Sequence, residues 1–240
     1  MSAALPHNAK VLRNPPMPKI NVSARLARLA ASCMATMDIR YYLNGIYVAP
    51  REAGGAFIVA TDGHRLMAVI DAGGEAEYSA ILRVPQDMLR KMPRPSVWAI
   101  NDQPTAKPGL RDVRIAGRRQ TVLYDAMKCD RLQTDTFRGK NALVLTNAAG
   151  DVAHLHTDGA IVEGRFPDFN RVIPQDFSKL QEGVKASFNH GYQMDALNTF
   201  KGTEKHRAVQ VRMLQDPSNP TGAITFHIMR HEYALLVIMP

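Results

Sequence analysis

Two small groups of polar residues have types and spacings that could do chemistry. His154, His156 and Asp158 alternate along the chain, so on a β-strand their side chains would share one face. Imidazole and carboxylate groups bind metal ions, but no fourth ligand accompanies this set. Asp62 and His64 have the types of an acid–base pair, but neither a nucleophile nor a phosphate-binding loop accompanies them. An enzyme of unrelated chemistry stays open as an alternative, while the expectation is no catalytic site, no metal and no cofactor.

The balance of charged residues is basic. Lys and Arg number 30 against 22 Asp and Glu, which gives a formal net charge of +8. Such a balance suits a polyanionic partner, although many basic proteins bind none. Two isolated cysteines, Cys33 and Cys129, make neither a disulfide framework nor a zinc cluster. No apolar run approaches the length of a membrane span, so we expect a cytoplasmic protein without a membrane partner.

The N-terminal residues differ in composition from the rest. Residues 1–18 contain several prolines and basic residues and no signal-peptide core, which predicts a flexible basic arm. A frayed terminus without a role is the alternative. The whole chain is 45% hydrophobic, which is typical of a globular protein with a core.

The chain after this arm repeats one plan three times, a short helix followed by strands. The first segment starts at Ile20, and Ser23 is a suitable N-cap for its helix. Apolar residues recur at helical spacing at Val22, Leu26, Leu29 and Cys33. Strand-like runs follow at residues 41–48 and 56–70, with a turn at residues 54–55 between them.

The second and third segments follow the same plan with little sequence identity between them. In the second, residues 85–87 open a helix that Pro93 and Pro95 end. Its strand-like runs are residues 96–100, 112–115, 121–124, 142–145, 152–156 and 160–162. The third has a strand-like run at residues 184–188 and a helix that starts near Asn189. Its later strands are residues 209–214, 223–229 and 233–238.

Four motifs, in the correct order, resemble the bacterial DNA sliding-clamp family, the beta subunit of DNA polymerase III. Residues 40–45 (Arg-Tyr-Tyr-Leu-Asn-Gly) and 59–66 (Val-Ala-Thr-Asp-Gly-His-Arg-Leu) resemble the family's middle domain. Residues 163–174 resemble the linker out of that domain. Residues 187–189 with the following helix resemble the second half of the last domain, and residues 237–240 resemble its last strand. The similar stretches cover about half of the chain.

The resemblance implies an α+β protein with the sliding-clamp fold, built from repeated helix-plus-antiparallel-strands units, with helices lining a ring and sheets outside. It divides the chain into the arm at 1–18, a clamp domain at 19–165, a linker at 166–182 and a half-domain at 183–240. Compared with the family, the chain would lack the first domain and half of the last, and would stop short of the usual tail. It would also carry an extra segment near 100–141. This pattern suits a shortened or mobile-element variant.

The function implied by the resemblance is that of a processivity factor without a catalytic site, whose partners are double-stranded DNA, a DNA polymerase and clamp-loader subunits. A duplex that slides needs basic side chains that contact phosphates without reading bases. The residues expected to bind DNA are Arg25, Arg28, Arg40, Tyr41, Tyr42, Arg90, Lys91, Lys201 and Lys205. For the arginines and lysines the alternative is an ordinary solvated basic face, and for the tyrosines it is burial in a strand. Arg111, Arg114, Arg118 and Arg119 surround a predicted hairpin that touches DNA, a neighbouring subunit or only solvent.

The resemblance also implies a pocket for the peptides by which other proteins bind the clamp. Apolar and Met side chains make an adaptable surface, and Arg65 and Arg171 can hold a carboxylate or carbonyl at its edge. The matching positions are Leu43, Thr61, Gly63, His64, Arg65, Leu66, Pro167, Arg171, Val172, Val237, Ile238, Met239 and Pro240.

The number of repeated units predicts how a ring would close. The family ring and its eukaryotic and archaeal relatives each total twelve units, so a chain of three units favours a homotetramer. A fourth unit hidden in the extra segment would give a trimer instead. Three alternating units leave both chain ends pointing alike, so neighbours would meet head-to-head and tail-to-tail in dihedral symmetry. A non-ring adaptor or competitor that only binds clamp-binding peptides is the alternative function.

Overall fold

The computed structural model describes residues 19–95, 110–115, 118–123, 130–147, 149–184, 186–199, 210–228 and 233–239, the second and third of these ranges by their backbone alone. The predicted arm, the run at 96–100, Cys129, Lys201, Lys205 and Pro240 lie outside the described residues.

Three α-helices and sixteen strands make up the described part of the chain. The helices are α1 (Ala24–Ala30), α2 (Gln86–Lys91) and α3 (His190–Asn198). In the first half of the chain the strands are β1 (Ile20–Ser23), β2 (Ile46–Pro50), β3 (Ala56–Thr61), β4 (Arg65–Asp71), β5 (Glu75–Ala76), β6 (Ala80–Leu82), β7 (Leu110–Ile115) and β8 (Arg118–Leu123). In the second half they are β9 (Arg131–Phe137), β10 (Lys140–Thr146), β11 (Val152–His156), β12 (Ile161–Val162), β13 (Gln181–Glu182), β14 (Val211–Gln215), β15 (Ile224–Ile228) and β16 (Ala234–Ile238).

The strands form two large sheets and one hairpin, with antiparallel pairing throughout. The five-stranded sheet has the order β11-β10-β9-β1-β5. The nine-stranded sheet has the order β12-β6-β2-β3-β4-β16-β15-β14-β13, and β7 pairs with β8. The nine-stranded sheet is continuous from the middle of the chain into its last strands, because β4 pairs with β16 from Arg65–Ile238 to Val69–Ala234. We call this pairing the β4–β16 seam.

One main core lies between the helices and the inner faces of both sheets. Leu26 and Leu29 of α1, Ala196 of α3 and Phe226 of β15 are all buried in it. A second, smaller cluster covers the other face of the nine-stranded sheet, with Val59, Leu66, Val237 and Phe166 at its centre. The period of two along a strand explains this division, since alternate residues of β4 and β16 point to opposite faces. No helix in the described ranges is long and apolar enough to cross a membrane.

The α+β class and the three helix starts are confirmed. Helix α1 follows Ser23, α2 follows Pro85, and α3 follows Asn189, whose side chain accepts a hydrogen bond from the Gly191 N–H at 2.9 Å. Ser23 caps α1 without a side-chain hydrogen bond; its own N–H donates to Asp71 Oδ2 at 2.6 Å. Val22, predicted as one of the helical positions, lies in β1, where it pairs with Leu132.

Two predicted strand runs were partly wrong, because polar side chains interrupt them. The run at 41–48 begins as a 3₁₀ turn at Tyr41–Leu43, and the strand starts only at Ile46. The Asn44 amide exchanges two hydrogen bonds with the Asp38 backbone, at 2.8 and 2.9 Å, and closes this turn. The run at 56–70 is two strands, β3 and β4, joined by a tight loop at residues 62–64.

Two further differences concern one strand that the hydrophobic pattern misplaced and one that it did not predict. The described residues of the run at 184–188 are not in a strand; the strand of this region is β13, which comes earlier and is followed by Gly183 with φ of +105°. Strand β9 was missed because Leu132 is its one fully buried residue, so the segment is too polar to show an apolar pattern. Since β9 pairs with both β1 and β10, the end of the supposedly extra segment is an integral part of the five-stranded sheet.

Candidate functional site

The β4–β16 seam brings together residues that are far apart in the sequence. Leu66 pairs with Val237, and both side chains point into the small cluster on the outer face of the sheet. The adjacent pair, Arg65 and Ile238, points to the opposite face, where Ile238 is buried in the main core. The Met239 N–H donates to the His64 carbonyl at 2.8 Å, so the pairing extends one residue beyond the strand.

The loop between β3 and β4 is built around the Asp62 carboxylate. Asp62 Oδ1 accepts hydrogen bonds from the His64 and Arg65 N–H groups at 2.9 and 3.0 Å. The Thr61 hydroxyl accepts from the Gly63 N–H at 3.0 Å and donates to the Arg65 carbonyl at 2.7 Å. The Asp62 carboxylate thus shapes the loop through backbone hydrogen bonds.

Gly63 lies where a side chain would be obstructed. Its φ is +93°, in the left-handed region that favours glycine, and a Cβ atom there would lie 3.0 Å from the Arg40 guanidinium. That guanidinium also donates to the Asp62 carbonyl at 3.2 Å. The close approach couples the loop to the segment that precedes β2.

The Arg65 guanidinium binds this loop to helix α3. It donates to Asp62 Oδ2 and Asp195 Oδ2, both at 2.9 Å, and to the Tyr192 carbonyl at 3.1 Å. Its Cζ lies 5.3 Å from the centre of the Tyr192 ring, on which the His64 ring also stacks at 5.7 Å. The Arg65 side chain is only 11% exposed, so most of its hydrogen-bonding capacity is used within the chain. We call these contacts the Arg65 network.

The sequence pattern did not identify Tyr192 and Asp195 as site residues. They are three residues apart on α3 and therefore share one face of the helix, which was an available signal. Nothing in their spacing pointed to Arg65, which lies more than a hundred residues earlier.

The linker after β12 packs on the outer face of the nine-stranded sheet. Phe166 is buried there and stacks on Tyr47 with ring centres 4.9 Å apart. Phe169 and Val172 are half-buried against the same cluster. Arg171 remains exposed, 3.5 Å from the Asp168 carboxylate. The linker thus places an arginine beside an apolar surface next to the β4–β16 seam.

The predicted pocket residues divide by burial. Gly63, His64, Pro167 and Arg171 are exposed, and Arg65, Val172 and Met239 are half-buried. The remaining described members are buried in the monomer: Leu43, Thr61, Leu66, Val237 and Ile238. The exposed and half-buried groups could contact a peptide directly, while the buried ones support them from below.

The segment at residues 38–42 holds the other motif predicted to act near DNA. Arg40 is 46% exposed and binds the Asp38 carboxylate at 2.8 and 3.1 Å. This pairing with Arg40 lowers the pKa of Asp38 to about 2. Tyr41 is 52% exposed, whereas Tyr42 is half-buried against the smaller hydrophobic cluster that contains Phe166. Arg40 and Tyr41 thus present polar and aromatic groups to solvent.

The predicted basic residues of the helices have different surroundings. Arg25 and Arg28 on α1 are half-buried, and Arg90 and Lys91 on α2 are exposed. Lys91 Nζ lies 2.7 Å from His154 Nδ1, and His154 Nε2 lies 3.1 Å from the Asp87 carboxylate. His154 therefore joins α2 to β11, and no group of three or more metal-ligating side chains comes together within the described part of the chain.

Curated relatives with similar sequences are beta sliding clamps. The chain is 24% identical to that of Haemophilus influenzae over 211 residues, which cover 86% of this chain and 46% of the relative. It is 29% identical to that of Vibrio cholerae over 187 residues, which cover 75% and 38%. The chain thus spans less than half the length of these curated relatives. No family model matches it.

Solved structures with a similar fold are also sliding clamps. A DNA polymerase sliding clamp from Pseudomonas aeruginosa superposes with a TM-score of 0.56 at 19% identity, over 98% of this chain and 69% of that one. The sliding clamp from Bacillus subtilis gives 0.52 at 13% identity, over 97% and 67%. At these identities the structures establish the fold. The predicted resemblance is confirmed: the chain has the sliding-clamp fold and is similar in sequence to bacterial beta sliding clamps.

Proposed function

We propose that this protein is a DNA sliding clamp, a ring-forming processivity factor without a catalytic site that encircles duplex DNA in the cytoplasm. The observation that carries the proposal is the β4–β16 seam. It holds the loop at residues 62–64, the linker and the end of the last strand side by side, at the place where a peptide pocket is expected. A polymerase and clamp-loader subunits would bind this pocket through their clamp-binding peptides.

Encirclement of DNA is tested by topology. A closed ring on nicked circular DNA stays bound during gel filtration and slides off after the circle is cut, because nothing else holds it. Retention that does not depend on circularity would contradict encirclement. It would leave the alternative, an adaptor or competitor that binds peptides without forming a ring.

Peptide binding is tested by fluorescence titration with a clamp-binding peptide. Arg171 is exposed and Met239 half-buried, so R171A and M239A should leave the fold intact and weaken binding about tenfold each, the loss of one well-made contact. R138A is a matched control, since Arg138 is an exposed arginine in the turn between β9 and β10. Equal affinities for all four proteins would argue against the pocket assignment.

The ring would close through sheet edges. Strand β11 is at the end of the five-stranded sheet, with no partner strand on its outer side among the described residues. Exposed edges tend to pair with another chain. Because each chain has three helix-plus-strands units, we infer a homotetramer; a homotrimer is the second choice. Light scattering at low and high salt decides this, and a monomer or dimer mass would reject both.

A further inference from the structure

Three titratable side chains lie in a row where helix α2 meets the edge strand β11. Asp87 and Lys91 are four residues apart on α2 and therefore share one face of the helix. His154 of β11 lies between them, with its Nδ1 2.7 Å from Lys91 Nζ and its Nε2 3.1 Å from Asp87 Oδ2. The row is thus a lysine, a histidine and a carboxylate in direct polar contact.

The chemistry of these groups determines which atoms donate and which accept. A lysine ammonium has no lone pair and can only donate, so His154 Nδ1 accepts from Lys91. In the neutral imidazole, Nε2 then carries the ring hydrogen and donates to the Asp87 carboxylate. His154 therefore directs its basic nitrogen at the Lys91 amine, and Asp87 holds the ring in that tautomer. A histidine placed in this way between a nucleophile and a carboxylate can activate the nucleophile.

The lysine of this row is open to solvent, whereas the histidine is largely covered. Lys91 is exposed, and the His154 side chain is only 18% exposed. His154 pairs with Leu145, which is buried in the main core, so its side chain projects from the face of the sheet and not from the free edge of β11. An electrophile in solution can thus reach the Lys91 amine while the base stays fixed beside it.

We propose that Lys91 is a site of acylation by an acyl phosphate, with His154 as the general base and Asp87 as its positioning residue. The Lys91 ammonium passes one proton to His154 Nδ1, and the neutral amine forms a bond to the acyl carbon. The bond from that carbon to the phosphate oxygen breaks. Phosphate leaves with the electron pair and takes the second proton of the nitrogen, and His154 returns its proton to water. The reaction requires neither DNA nor a closed ring, so it stands apart from the proposed function.

The test compares two lysines within one molecule. The full chain is incubated with acetyl phosphate, and the acylation rates of Lys91 and Lys140 are measured by peptide mass spectrometry. Lys140 is exposed at the start of β10, and its amine has no imidazole partner among the described residues. We expect Lys91 to react about tenfold faster, less than a general base contributes with a bound substrate, because the reagent is not held in place. Equal rates, or a slower Lys91, would overturn the proposal, since a purely structural row would only hold the amine in its hydrogen bond.

Substitutions in the row separate the roles of the other two residues. H154N keeps an oxygen near the position of Nδ1 that can accept from Lys91 but does not take its proton, so the ratio of the two rates should fall to about one. D87A and D87N both remove the charge of Asp87, but only asparagine keeps an acceptor for Nε2–H. The ratio should therefore fall in D87A and recover in D87N.

The Asp87 side chain is 65% exposed, so its variants give a result even if H154N folds poorly. An unchanged ratio in folded H154N would overturn the role of His154. Equal ratios in D87A and D87N would overturn that of Asp87.

Discussion

At the residue scale, Arg65 connects two parts of the chain that are distant in sequence. Its planar guanidinium meets two carboxylates and a carbonyl at once, which a lysine could not do in the same geometry. The loop at residues 62–64 is therefore attached to helix α3.

We predict that R65A lowers the free energy of unfolding by about 1–2 kcal/mol, because hydrogen bonds to charged groups are lost and Asp62 is left without its partner. R212A is the control, since Arg212 pairs with Glu182 on the surface and such exposed pairs contribute little. Urea unfolding monitored by circular dichroism measures both. Similar losses in the two variants would show that the Arg65 network adds no stability of its own.

The Cys33 thiol should be unreactive in the folded protein. Its complete burial raises its pKa to about 12, so the thiolate that attacks iodoacetamide is almost absent at pH 8. In a C129S background we expect Cys33 to be labelled only after addition of guanidinium chloride, as followed by mass spectrometry. Rapid labelling under native conditions would contradict the burial.

The ion pair of Asp38 predicts a dependence of stability on pH. The folded-state pKa of about 2 is below the ordinary 3.8, so the pair contributes above pH 4 and its contribution is lost as the pH falls toward 2. D38N should therefore be less stable than the wild type at pH 6, and this difference should shrink on acidification. Chemical denaturation across that pH range measures it, and a constant difference would contradict the assignment.

At the element scale, the loop between β3 and β4 depends on a glycine that has little space. We predict that G63A lowers the free energy of unfolding by about 1–2 kcal/mol, from backbone strain and from the contact with Arg40. G54A separates the two causes, because Gly54 has a similar φ of +85° but a Cβ atom there would have no neighbouring atom within 4 Å. If the Arg40 contact matters, R40A should recover part of the loss in G63A; urea unfolding of the single and double variants tests this.

The elements that the sequence predicted well are those with a local signal. Asn189 and Pro85 mark helix starts through their own chemistry, and β14, β15 and β16 follow clear apolar runs. Asp62-Gly63 was also a turn signal, but the apolar residues on both sides concealed it. Strand β9 could not be predicted from its pattern, because partners on both sides hold it in the sheet although only Leu132 is fully buried.

In the candidate site, too, features with a local sequence signal could be predicted, whereas contacts between distant segments could not. The resemblance placed the loop, the linker and the last strand in one site, and the structure brings these three segments together. It could not show that Leu66 and Val237 are covered by the linker, nor that Arg65 turns toward Asp195 on α3. Both outcomes depend on strand pairing between distant segments, which no single segment encodes.

At the scale of the whole molecule, the nine-stranded sheet joins the middle of the chain to its last strands as one body. Phe226 and Ala196 share the main core with Ile58 and Met67, so within the described residues the two parts are built on one core. We predict a single cooperative unfolding transition, coincident by calorimetry and circular dichroism, with slow amide exchange in β4 and β16 alike. Two separate transitions would show that the β4–β16 seam is a contact between independent domains.

The β4–β16 seam also has a consequence for synthesis. Strand β4 leaves the ribosome long before β16, so one of its edges has no partner while the later strands are being made. Pairing between distant segments forms slowly because the intervening loop must close first. During that interval the unpaired edge and the apolar Leu66 beside it are exposed to other nascent chains. Production of this protein should therefore depend on chaperones more than its final stability would indicate.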